Sequence, residues 1–577
     1  MIRALSLIVS MKPLTFKIGG EAGFGIMLSG LTFSKLVVRS GYYIFNYAEY
    51  PSIIRGGHNM VQLTISDQPV DASYTHTDFL VAFNKETIDL HAHELVSGSL
   101  VIYDEEHPKL PVMAKGVRLL QVPFKKISKE VANSFFLRNT AALGAMAAFW
   151  GIDIKMLEKL IGEEFAAKPP EVAKSNQAVA RAGYKFVKEH YAEYIKDTLR
   201  PLRIRSARTV INGNEAIALG AVAAGVQFAS IYPMTPISNI LHVLAPLQEK
   251  YNFIYKQPED EIAAVNMAIG ASFAGARAMT ATAGGGFCLM SEGYGLAAMT
   301  ETPLVIIEGM RGGPATGLPT WTEQGDLRFV LHAHQGEFPR IVLAAGDAEE
   351  AFHLTMQAFN LADAYQTPVV VMVDKQVCES GFTTPEFDIR KYQIKRGKLL
   401  LKKQAGYKRY ALVKDGISVR SVPGVGNHVV ANSDEHNEHG YSNESAENRI
   451  AQMDKRMKKL EMCAQTDMPQ PVLYGPRNAD LTIVSWGSNK GVILEAMKYF
   501  DRVNFLHLTW VSPFPARAVK NVLENARQIL NVECNANGQM AGLIKEQTGI
   551  GIKHNLLKYD GRPFFPEEII AKIKKMI

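Results

Sequence analysis

Short, continuously apolar segments, each followed by a helical pattern, constrain the fold of this chain more than any other feature of its sequence. Five of them lie between Ser206 and Thr384: QFASIYP, ARAMTATA, PLVIIEG, RIVLAA and PVVVMVD. A strand that is apolar at every position is buried on both faces, as in a parallel sheet covered by helices on each side. We therefore predict a doubly wound α/β domain over residues 206–384.

The same alternation of strand and helix precedes and follows this domain. Residues 12–200 begin with the strand TFKIGG, a glycine turn and a helix from about Ile26 to Ser40, and residues 471–577 begin with LTIVSW. The intervening residues 385–470 are polar and charged, which is typical of an excursion or linker. A chain of 577 residues is too long for one core. The predicted fold class is α/β with three doubly wound domains.

Composition argues against several classes of function. The net charge of +6 is small for this length and the basic residues are scattered, which argues against a nucleic-acid partner. No apolar run approaches the roughly 20 residues that span a membrane. The four cysteines lie far apart, so we expect no zinc or iron–sulfur cluster in this chain, and their scarcity fits a reducing, cytoplasmic environment.

The histidines of two polar segments have ordinary interpretations. His428, His436 and His439 lie in a stretch without helical or hairpin register, which favours a solvated loop over a metal site. His91 and His93 alternate within a helical pattern and point to different faces, so we predict them at the surface or an interface.

The first residues of the sequence are apolar but form only a short run. Residues 4–11 lack the small-residue cleavage site of a signal peptide. We interpret them as a translational extension, with Met11 as an alternative start.

The turn YPMTPIS directly follows the first of the five apolar strands. Thr235 lies between two prolines that stiffen the turn, so its hydroxyl is predicted to be held ready for a substrate carbonyl or carboxylate. Ser238 is placed to cap the helix that follows. The alternative is an ordinary strand-to-helix connection that happens to contain proline.

Three acids, Glu259, Asp260 and Glu261, open a helix of unusually small residues, IAAVNMAIGASFAGA. Acids in a first helical turn commonly offset the helix dipole. The small side chains behind them would also permit close approach of a helix, a partner subunit or a flat cofactor ring. A buried glutamate in this position could protonate a heteroaromatic nitrogen.

Two glycine-rich turns follow the next two strands. The turn TAGGGF lets a ligand approach the backbone closely, but it lacks the lysine of a phosphate-binding loop. In GMRGGPATGLPT, Arg311 stands alone among glycines and is suited to bind a carboxylate through two parallel hydrogen bonds. The alternative for this second turn is a flexible surface loop with an incidental arginine.

These four turns, in this order and at this spacing, closely resemble the alpha subunit of 2-oxoacid:ferredoxin oxidoreductases. YPMTPIS is similar to the YPITPSS motif of that family, and QPEDEIAAVNMAIGAS, TATAGGGF and RGGPATGLPT follow it as they do there. VECNANGQ also resembles the alpha subunit. IGGEAGFGI, EYPSIIRGGHN and RNTAALGA resemble the gamma subunit, so the likeness covers nearly the whole chain and implies a fused gamma/alpha subunit.

The resemblance implies a role for several residues. Thr235 and Arg311 would bind the 2-oxoacid, with Tyr232 and Thr316 beside it, and Glu261 would contact the aminopyrimidine of thiamine diphosphate. Other residues implied at the cofactor are Pro233, Gly284 and Gly285. The domains implied are a gamma-type domain, a pyrimidine-type domain that binds thiamine diphosphate, and a domain like the C-terminal domain of transketolase.

The sequence lacks the GDG segment with downstream asparagines by which such enzymes hold the diphosphate through Mg²⁺. The resemblance therefore implies a separate beta subunit that holds the diphosphate, Mg²⁺ and a [4Fe–4S] cluster, and passes electrons to ferredoxin. A dimer of alpha–beta heterodimers is the expected assembly.

The loop RGGPATGLPTWTEQGDL is more similar to the 2-oxoglutarate branch of the family than to the pyruvate branch. We therefore favour 2-oxoglutarate, with pyruvate, indolepyruvate or a non-oxidative thiamine-dependent reaction as alternatives. A scaffold without catalytic function is the alternative from a different class.

Coenzyme A is the co-substrate that the family implies. The turn GEAGFG reverses the glycine spacing of a dinucleotide fingerprint, so a nicotinamide site is poorly supported. Gly23 and Gly25 of this turn, with Arg55 and Asn59, are predicted either to contact coenzyme A or to shape a subunit interface.

Overall fold

A computed structural model of the protein describes residues 11–53, 56–104, 111–202, 206–390 and 392–577. Most of the predicted extension at residues 4–11 and Arg55 lie outside these ranges. The strands are β1 (Leu14–Glu21), β2 (Tyr43–Glu49), β3 (His58–Ser66), β4 (Thr77–Ala82), β5 (Leu95–Tyr103), β6 (Arg118–Gln121), β7 (Arg208–Ile211), β8 (Phe228–Ser230), β9 (Ile254–Lys256), β10 (Ala278–Ala283), β11 (Leu304–Met310), β12 (Ile341–Ala344), β13 (Pro368–Asp374), β14 (Gly381–Pro385), β15 (Leu399–Leu400), β16 (Arg420–Ser421), β17 (Val472–Tyr474), β18 (Leu481–Trp486), β19 (Val503–Leu508), β20 (Trp510–Ser512), β21 (Ile529–Glu533) and β22 (His554–Leu557).

Helices separate most of these strands, as the alternating sequence pattern predicts. They are α1 (Ile26–Arg39), α2 (Lys85–His91), α3 (Phe124–Ala132), α4 (Arg138–Phe149), α5 (Ile154–Glu164), α6 (Pro170–His190), α7 (Gly213–Ala223), α8 (Ser238–Tyr251), α9 (Glu261–Phe273), α10 (Gly284–Met299), α11 (Leu327–His332), α12 (Ala348–Tyr365), α13 (Lys375–Glu379), α14 (Ala446–Thr466), α15 (Asn489–Met497), α16 (Ala516–Glu524), α17 (Gln539–Thr548) and α18 (Pro566–Lys574). None of the helices in the described ranges is both long enough and apolar enough to cross a membrane.

The chain divides into two compact units. The first unit comprises the chain up to Ile211 together with Ser380–Glu386 and Phe565–Glu567. Its eight-stranded sheet has the order β6-β5-β4-β1-β3-β2-β14-β7. The strands β1, β4, β5 and β6 run parallel, whereas β3 pairs antiparallel with both β1 and β2. This sheet is therefore mixed, because β3 runs antiparallel to both of its neighbours.

Two helices of the first unit cross with almost no space between their backbones. A Cβ atom added to Gly144 in α4 would lie 2.7 Å from the carbonyl carbon of Ala180 in α6. A Cβ atom added to Gly183 in α6 would lie 2.9 Å from the carbonyl carbon of Ala141. Every residue of α4 between Asn139 and Phe149 is buried, so this crossing is part of the core.

We expect Gly144→Ala to destabilise the first unit by about 1–3 kcal/mol, because the added methyl group must push two backbones apart. Gly162→Ala in α5 is the matched control, since its Cβ atom would meet only the flexible amide of Gln177, at 3.3 Å. The measurement is thermal unfolding with hydrogen exchange of the full chain. Equal stability of the two variants would contradict the close crossing.

The second unit contains two larger sheets. The order of the seven-stranded sheet is β20-β12-β13-β11-β10-β8-β9, and its strands run parallel except for β20. The five-stranded sheet has the order β17-β19-β18-β21-β22, with only β17 antiparallel among its pairs. A further two-stranded sheet joins β15 to β16. The predicted α/β fold class is confirmed.

The polar segment before β17 is anchored by buried charges. Glu301, at the end of α10, is fully buried and forms ion pairs with Lys455 at 2.6 Å and Lys459 at 2.5 Å, both in α14. Burial raises the pKa of Glu301, but the attraction of the two lysines outweighs this effect and lowers it. Burial lowers the pKa of Lys459 to about 7. The charged helix α14 therefore packs within the second unit through specific ion pairs, which a prediction of a linker from composition does not anticipate.

Candidate active site at the edge of the parallel sheet

The chemically distinctive turns of the second unit lie at one edge of its seven-stranded sheet. The strands β8, β10 and β11 are consecutive neighbours and run parallel, so the turns after them emerge side by side. In open parallel sheets, ligands bind outside this carboxyl edge. The structure therefore brings the predicted motifs together at the position where a binding site is expected.

Arg311 and Thr235 are in direct contact at this edge. The Nη1 atom of Arg311 donates a hydrogen bond to the backbone oxygen of Thr235 at 2.9 Å. The turn after β8 also packs closely on β11, since a Cβ atom on Gly309 would lie 2.5 Å from Ile237 Cγ2. Burial lowers the pKa of Arg311 and the negative charge of Asp326 opposes this effect. One side of the guanidinium is therefore fixed by the turn that carries Thr235.

The predicted cap of α8 is wrong. Ser238 is the first helical residue, Ile237 occupies the capping position, and no side chain caps the helix. The reason is that the turn already closes before Ser238, through a hydrogen bond from the Ile237 backbone N–H to the Met234 oxygen at 2.9 Å.

The loop after β11 closes on itself and faces the glycine turn after β10. The backbone N–H of Leu318 donates to the oxygen of Gly312 at 2.7 Å. Thr316 lies exposed at the tip of this loop. A Cβ atom on Gly285 would lie 3.8 Å from the Ala315 oxygen.

The remaining predicted residues of this edge flank the two turns. Tyr232 and Pro233 follow β8 directly, Tyr232 partly buried and Pro233 exposed. Gly284 and Gly285 form the first turn of α10, where Gly285 is exposed. Backbone atoms rather than long side chains thus surround this part of the edge.

Glu261 is buried at the start of α9, beside the first turn of α10. Its side chain is 3% exposed, and its Oε1 atom has no hydrogen-bond partner among the described residues. A Cβ atom on Gly286 would lie 2.6 Å from this oxygen. Asp260 caps α9 by accepting from the Ala263 N–H at 2.7 Å, so Glu261 is not needed for that role. A buried carboxylate oxygen without a donor is suited to meet a protonated ligand nitrogen.

Two acids that sequence reasoning missed lie close to these turns. Glu308 is fully buried within β11. Asp326 lies at the end of the loop that follows β11, and its Cγ atom is 2.9 Å from the position that a Cβ atom on Gly284 would occupy. The only signal in the sequence was a charged residue inside the otherwise apolar strand PLVIIEG. A buried acid in such a strand is unusual enough to be a candidate for function.

The motif VECNANGQ lies at the end of β21, beside the same loop. The backbone N–H of Gln324 donates to the oxygen of Cys534 at 2.7 Å, and the side chain of Asn535 donates to the Gln324 oxygen at 3.2 Å. The Gln539 side chain donates to the oxygen of Gly325 at 2.6 Å. The motif therefore holds the loop in place.

In the first unit, two sequence motifs meet at the glycine turn after β1. Gly25 adopts φ 76°, in the left-handed region, and a Cβ atom there would lie 2.7 Å from the Asn139 side chain. Gly23 also has positive φ and is exposed, with no atom within 4 Å of an added Cβ atom. Asn59 pairs with Gly20 across β1 and β3. Three of the four residues predicted to contact coenzyme A are described, and they lie at or beside the end of β1.

The prediction for His91 is wrong, whereas His93 is exposed as predicted. His91 is 7% exposed, and its Nε2 atom lies 3.0 Å from Nε2 of His58, while its Nδ1 atom lies 3.2 Å from Glu94. The helix ends at His91, so the two histidines no longer follow one helical register. Burial, together with the charges of His91 and Lys17, lowers the pKa of His58 to about 4.

Among the residues that the structure describes, no group of three or more His, Cys, Asp or Glu side chains is arranged to hold a metal ion. In the polar segment, His436 is buried with its ring centroid 4.0 Å from that of Tyr410, and the His428 ring contacts Tyr441 at 3.0 Å. These contacts give both histidines a structural role.

Comparisons with known proteins identify the family of this chain. The family described as "Pyruvate flavodoxin/ferredoxin oxidoreductase, thiamine diP-bdg" matches residues 219–459, and "Pyruvate ferredoxin/flavodoxin oxidoreductase" matches residues 15–186. The 2-oxoacid:ferredoxin oxidoreductase subunit alpha of a Sulfolobus species is 35% identical over 98% of this chain and 97% of its own length. The 2-oxoglutarate oxidoreductase subunit KorA of Mycobacterium tuberculosis is 28% identical over 97% and 91%.

A solved structure is similar over the same extent. The 2-oxoglutarate:ferredoxin oxidoreductase from Magnetococcus marinus, with 2-oxoglutarate, coenzyme A and succinyl-CoA bound, superposes with a TM-score of 0.89. It is 31% identical, over 98% of this chain and 100% of that one. The resemblance inferred from the sequence motifs is confirmed, and this chain belongs to the family of 2-oxoacid:ferredoxin oxidoreductase alpha subunits, which are oxidoreductase subunits.

Proposed function

We propose that this chain, together with a beta subunit, catalyses the coenzyme A-dependent oxidative decarboxylation of a 2-oxoacid, with 2-oxoglutarate as the preferred substrate. In this reaction one 2-oxoacid, one coenzyme A and two oxidised ferredoxins give one acyl-CoA, one CO₂, two reduced ferredoxins and a proton. Two observations carry the proposal: the hydrogen bond from Arg311 to the Thr235 oxygen, and the unpaired, buried carboxyl oxygen of Glu261 beside Gly286 in the first turn of α10.

Arg311 binds the carboxylate of the 2-oxoacid. Its Nη1 donor is engaged by the Thr235 oxygen. A guanidinium has five N–H donors, so the others are available for a carboxylate. Thr235 and the partly buried Tyr232 belong to the turn after β8, and Thr316 lies exposed in the loop that carries Arg311. This arrangement orients the oxoacid with its carboxylate towards the guanidinium.

The residues present fit thiamine diphosphate. The unpaired Oε1 atom of Glu261 is positioned to hold a proton at a ring nitrogen of the aminopyrimidine, and Gly286 leaves space at that oxygen. Pro233, Gly284 and Gly285 contribute backbone and small side chains beside it. When bound, thiamine diphosphate supplies the carbon nucleophile and the electron sink of the reaction.

A beta subunit completes the site in this proposal. It holds the diphosphate, Mg²⁺ and a [4Fe–4S] cluster, and it passes electrons to ferredoxin, in a dimer of alpha–beta heterodimers. Large apolar side chains stand exposed on α9 and α10 near Glu261, with Ile262 51%, Met267 46% and Leu289 50% exposed. A group of exposed apolar residues on adjacent helices supports burial against a partner.

Coenzyme A, as the acyl acceptor, contacts the glycine turn of the first unit. Gly23 is exposed there and Gly25 is partly buried beside the Asn139 side chain, and Asn59 and Arg55 belong to a later motif of the same unit. Support for coenzyme A and for 2-oxoglutarate comes from the ligands bound in the similar enzyme from Magnetococcus marinus. The M. tuberculosis relative is likewise named for 2-oxoglutarate.

The test is reduction of ferredoxin, or of a viologen dye in its place, by the chain co-purified with its neighbouring beta subunit. We expect reduction that requires both thiamine diphosphate and coenzyme A, with the highest kcat/KM for 2-oxoglutarate in a panel that includes pyruvate and indolepyruvate. Release of an aldehyde without reduction of the acceptor would identify a non-oxidative decarboxylase. No reaction with any member of the panel would reject the proposed function.

A further inference from the structure

Gln324 is a fully buried amide in the loop that carries Arg311, between β11 and α11. Both polar atoms of its side chain have partners. The Nε2 atom donates to the Trp486 oxygen at 2.9 Å, and the Oε1 atom accepts from Asn489 Nδ2 and from the Cys534 N–H, each at 2.9 Å. The Gln324 backbone N–H donates to the Cys534 oxygen at 2.7 Å. A buried amide that is paired in this way specifies one position for the loop that bears it.

The partners of Gln324 belong to the five-stranded sheet, whereas its own loop follows a strand of the seven-stranded sheet. Trp486 is the last residue of β18, Asn489 begins α15, and Cys534 directly follows β21. Since β18 and β21 run parallel, their carboxyl ends lie at one edge of that sheet. Asn489 and Cys534 are each 1% exposed, so these hydrogen bonds are shielded from bulk water. The loop is therefore anchored to a second sheet, through residues 162 to 210 positions later in the chain.

Hydrogen bonds within the loop connect this anchor to Arg311. The backbone N–H of Gly312 donates to the Trp321 oxygen at 3.3 Å, and the Leu318 N–H donates to the Gly312 oxygen at 2.7 Å. Gly312 and Leu318 also pair as an isolated antiparallel bridge. Trp321 lies three residues before Gln324. The part of the loop that starts at Arg311 is therefore bound to the part that ends at Gln324, so a shift of one part shifts the other.

Arg311 is thus supported from two sides. Its Nη1 atom donates to the Thr235 oxygen at 2.9 Å, which fixes the guanidinium to the turn after β8. Its backbone is fixed through Gly312 and the anchor at Gln324. Two parallel hydrogen bonds to a carboxylate require one orientation of the guanidinium plane, so the direction of this side chain matters as well as its charge.

We propose that Gln324 is a positioning residue for Arg311, and that its hydrogen bonds at the ends of β18 and β21 hold the guanidinium ready for the carboxylate of the 2-oxoacid. The proposal rests on the proposed function, because this carboxylate is that of the proposed substrate. When the amide is removed, the Trp486 oxygen, Asn489 Nδ2 and the Cys534 N–H lose a buried partner, and the loop has to move to pair them again. The guanidinium then leaves the orientation that a bidentate contact needs.

The kinetic test compares Gln324→Ala with wild type in the alpha–beta complex. We expect the KM for the 2-oxoacid to rise about tenfold or more, because the loss of the side-chain hydrogen bonds displaces the loop. The change in kcat should be smaller, and the KM for coenzyme A should stay within about twofold of wild type. A KM for the 2-oxoacid equal to that of wild type would overturn the proposal. Equal rises in both KM values would also overturn it, since they would reflect a general loss of structure.

A double variant shows whether Gln324 acts through Arg311. Arg311→Lys has no planar fork for the anchor to orient. Adding Gln324→Ala to Arg311→Lys should therefore raise the KM for the 2-oxoacid by no more than about twofold over Arg311→Lys alone. KM increases that multiply in the double variant would mean that the two residues act independently, and would refute a positioning role.

Asn489→Ala provides the test if Gln324→Ala does not fold. It removes one of the two donors to Gln324 Oε1, while the Cys534 N–H still pairs with the same oxygen. We expect the KM for the 2-oxoacid to rise about two- to tenfold, the range for one neutral hydrogen bond. No rise in this KM would contradict the anchor.

Gln547→Ala is the matched control, because it removes the same amide from an exposed position in α17. Gln547 Nε2 donates to the neighbouring Glu546 side chain at 3.3 Å. We expect this variant to retain wild-type KM and kcat. A rise in KM equal to that of Gln324→Ala would mean that loss of any glutamine amide of this unit has the effect, and would rule out a specific anchor.

Hydrogen exchange of the full chain tests the anchor without any activity. Peptides that cover residues 311–326 should exchange faster in Gln324→Ala than in wild type, since the N–H groups of Gly312, Leu318 and Trp321 are no longer held against their acceptors. Gln547→Ala should exchange at wild-type rates. Unchanged exchange in Gln324→Ala would disprove the anchor. Because this readout does not depend on catalysis, it separates failure of the anchor from failure of the proposed function.

Discussion

Replacement of Glu261 by glutamine is expected to lower kcat of the alpha–beta complex by about 10²–10⁴-fold, the usual contribution of a positioned acid or base. Glutamine preserves the shape of the side chain, but it has no carboxylate to pair with a protonated ring nitrogen of the aminopyrimidine. The effect on folding should be small. An acid in a first helical turn contributes only about 0.3–1 kcal/mol, and Asp260 already caps α9.

Glu259→Gln is the matched control, since Glu259 is an exposed acid two residues earlier in the chain. We expect this variant to retain wild-type kcat and thermal midpoint. Steady-state reduction of the acceptor gives kcat, and titration with thiamine diphosphate measures cofactor binding separately. Full activity of Glu261→Gln would remove Glu261 from the mechanism and favour a scaffold function for this chain.

Replacement of Arg311 by lysine is expected to raise the KM for the 2-oxoacid by about 10–150-fold, which corresponds to the roughly 1.5–3 kcal/mol of a hydrogen bond to a charged group. Lysine keeps the charge but loses the planar fork that can bind a carboxylate while also donating to the Thr235 oxygen. Arg311→Lys therefore separates geometry from charge, and the loss should appear mainly in KM and kcat/KM.

The control for this variant is Arg328→Lys. Arg328 lies at the start of α11 and pairs with the exposed Glu546 at 2.6 Å. An exposed ion pair contributes little, so both KM and stability should stay close to wild type. A KM unchanged in Arg311→Lys would mean that the oxoacid carboxylate is bound elsewhere. A similar rise in both variants would indicate a general effect of replacing arginine by lysine, and not the loss of a specific carboxylate contact at Arg311.

The strands and helices were predictable because their patterns are local. The continuous apolar run PLVIIEG became β11, and the helix predicted from about Ile26 to Ser40 is observed as Ile26–Arg39. Parallel β8, β10 and β11 then place the ends of their motifs at one edge, which the general rule for parallel sheets anticipates. The roles of Thr235, Glu261 and Arg311 remain predictions; Arg311 contacts the Thr235 backbone, and Glu261 lies beside the first turn of α10.

Features that depend on residues distant in sequence were not predictable. The polar segment gave no sign that Lys455 and Lys459 bind Glu301, about 150 residues earlier. The predicted cap at Ser238 failed because the preceding turn closes one residue earlier than its sequence suggests. The burial of His91, at the end of α2, involves His58, which contacts it from β3.

The class of fold, the order of the elements and the family follow from the sequence alone, because hydrophobic periodicity and ordered motifs are properties of neighbouring residues. Which ionisable groups are buried close to one another depends on tertiary packing. Glu308 is separated from Asp326 by 18 positions and from Asp374 by 66. Burial and the negative charges of Asp326 and Asp374 raise the pKa of Glu308 well above its usual range, and these interactions arise only when the sheet and the loop that follows β11 are packed.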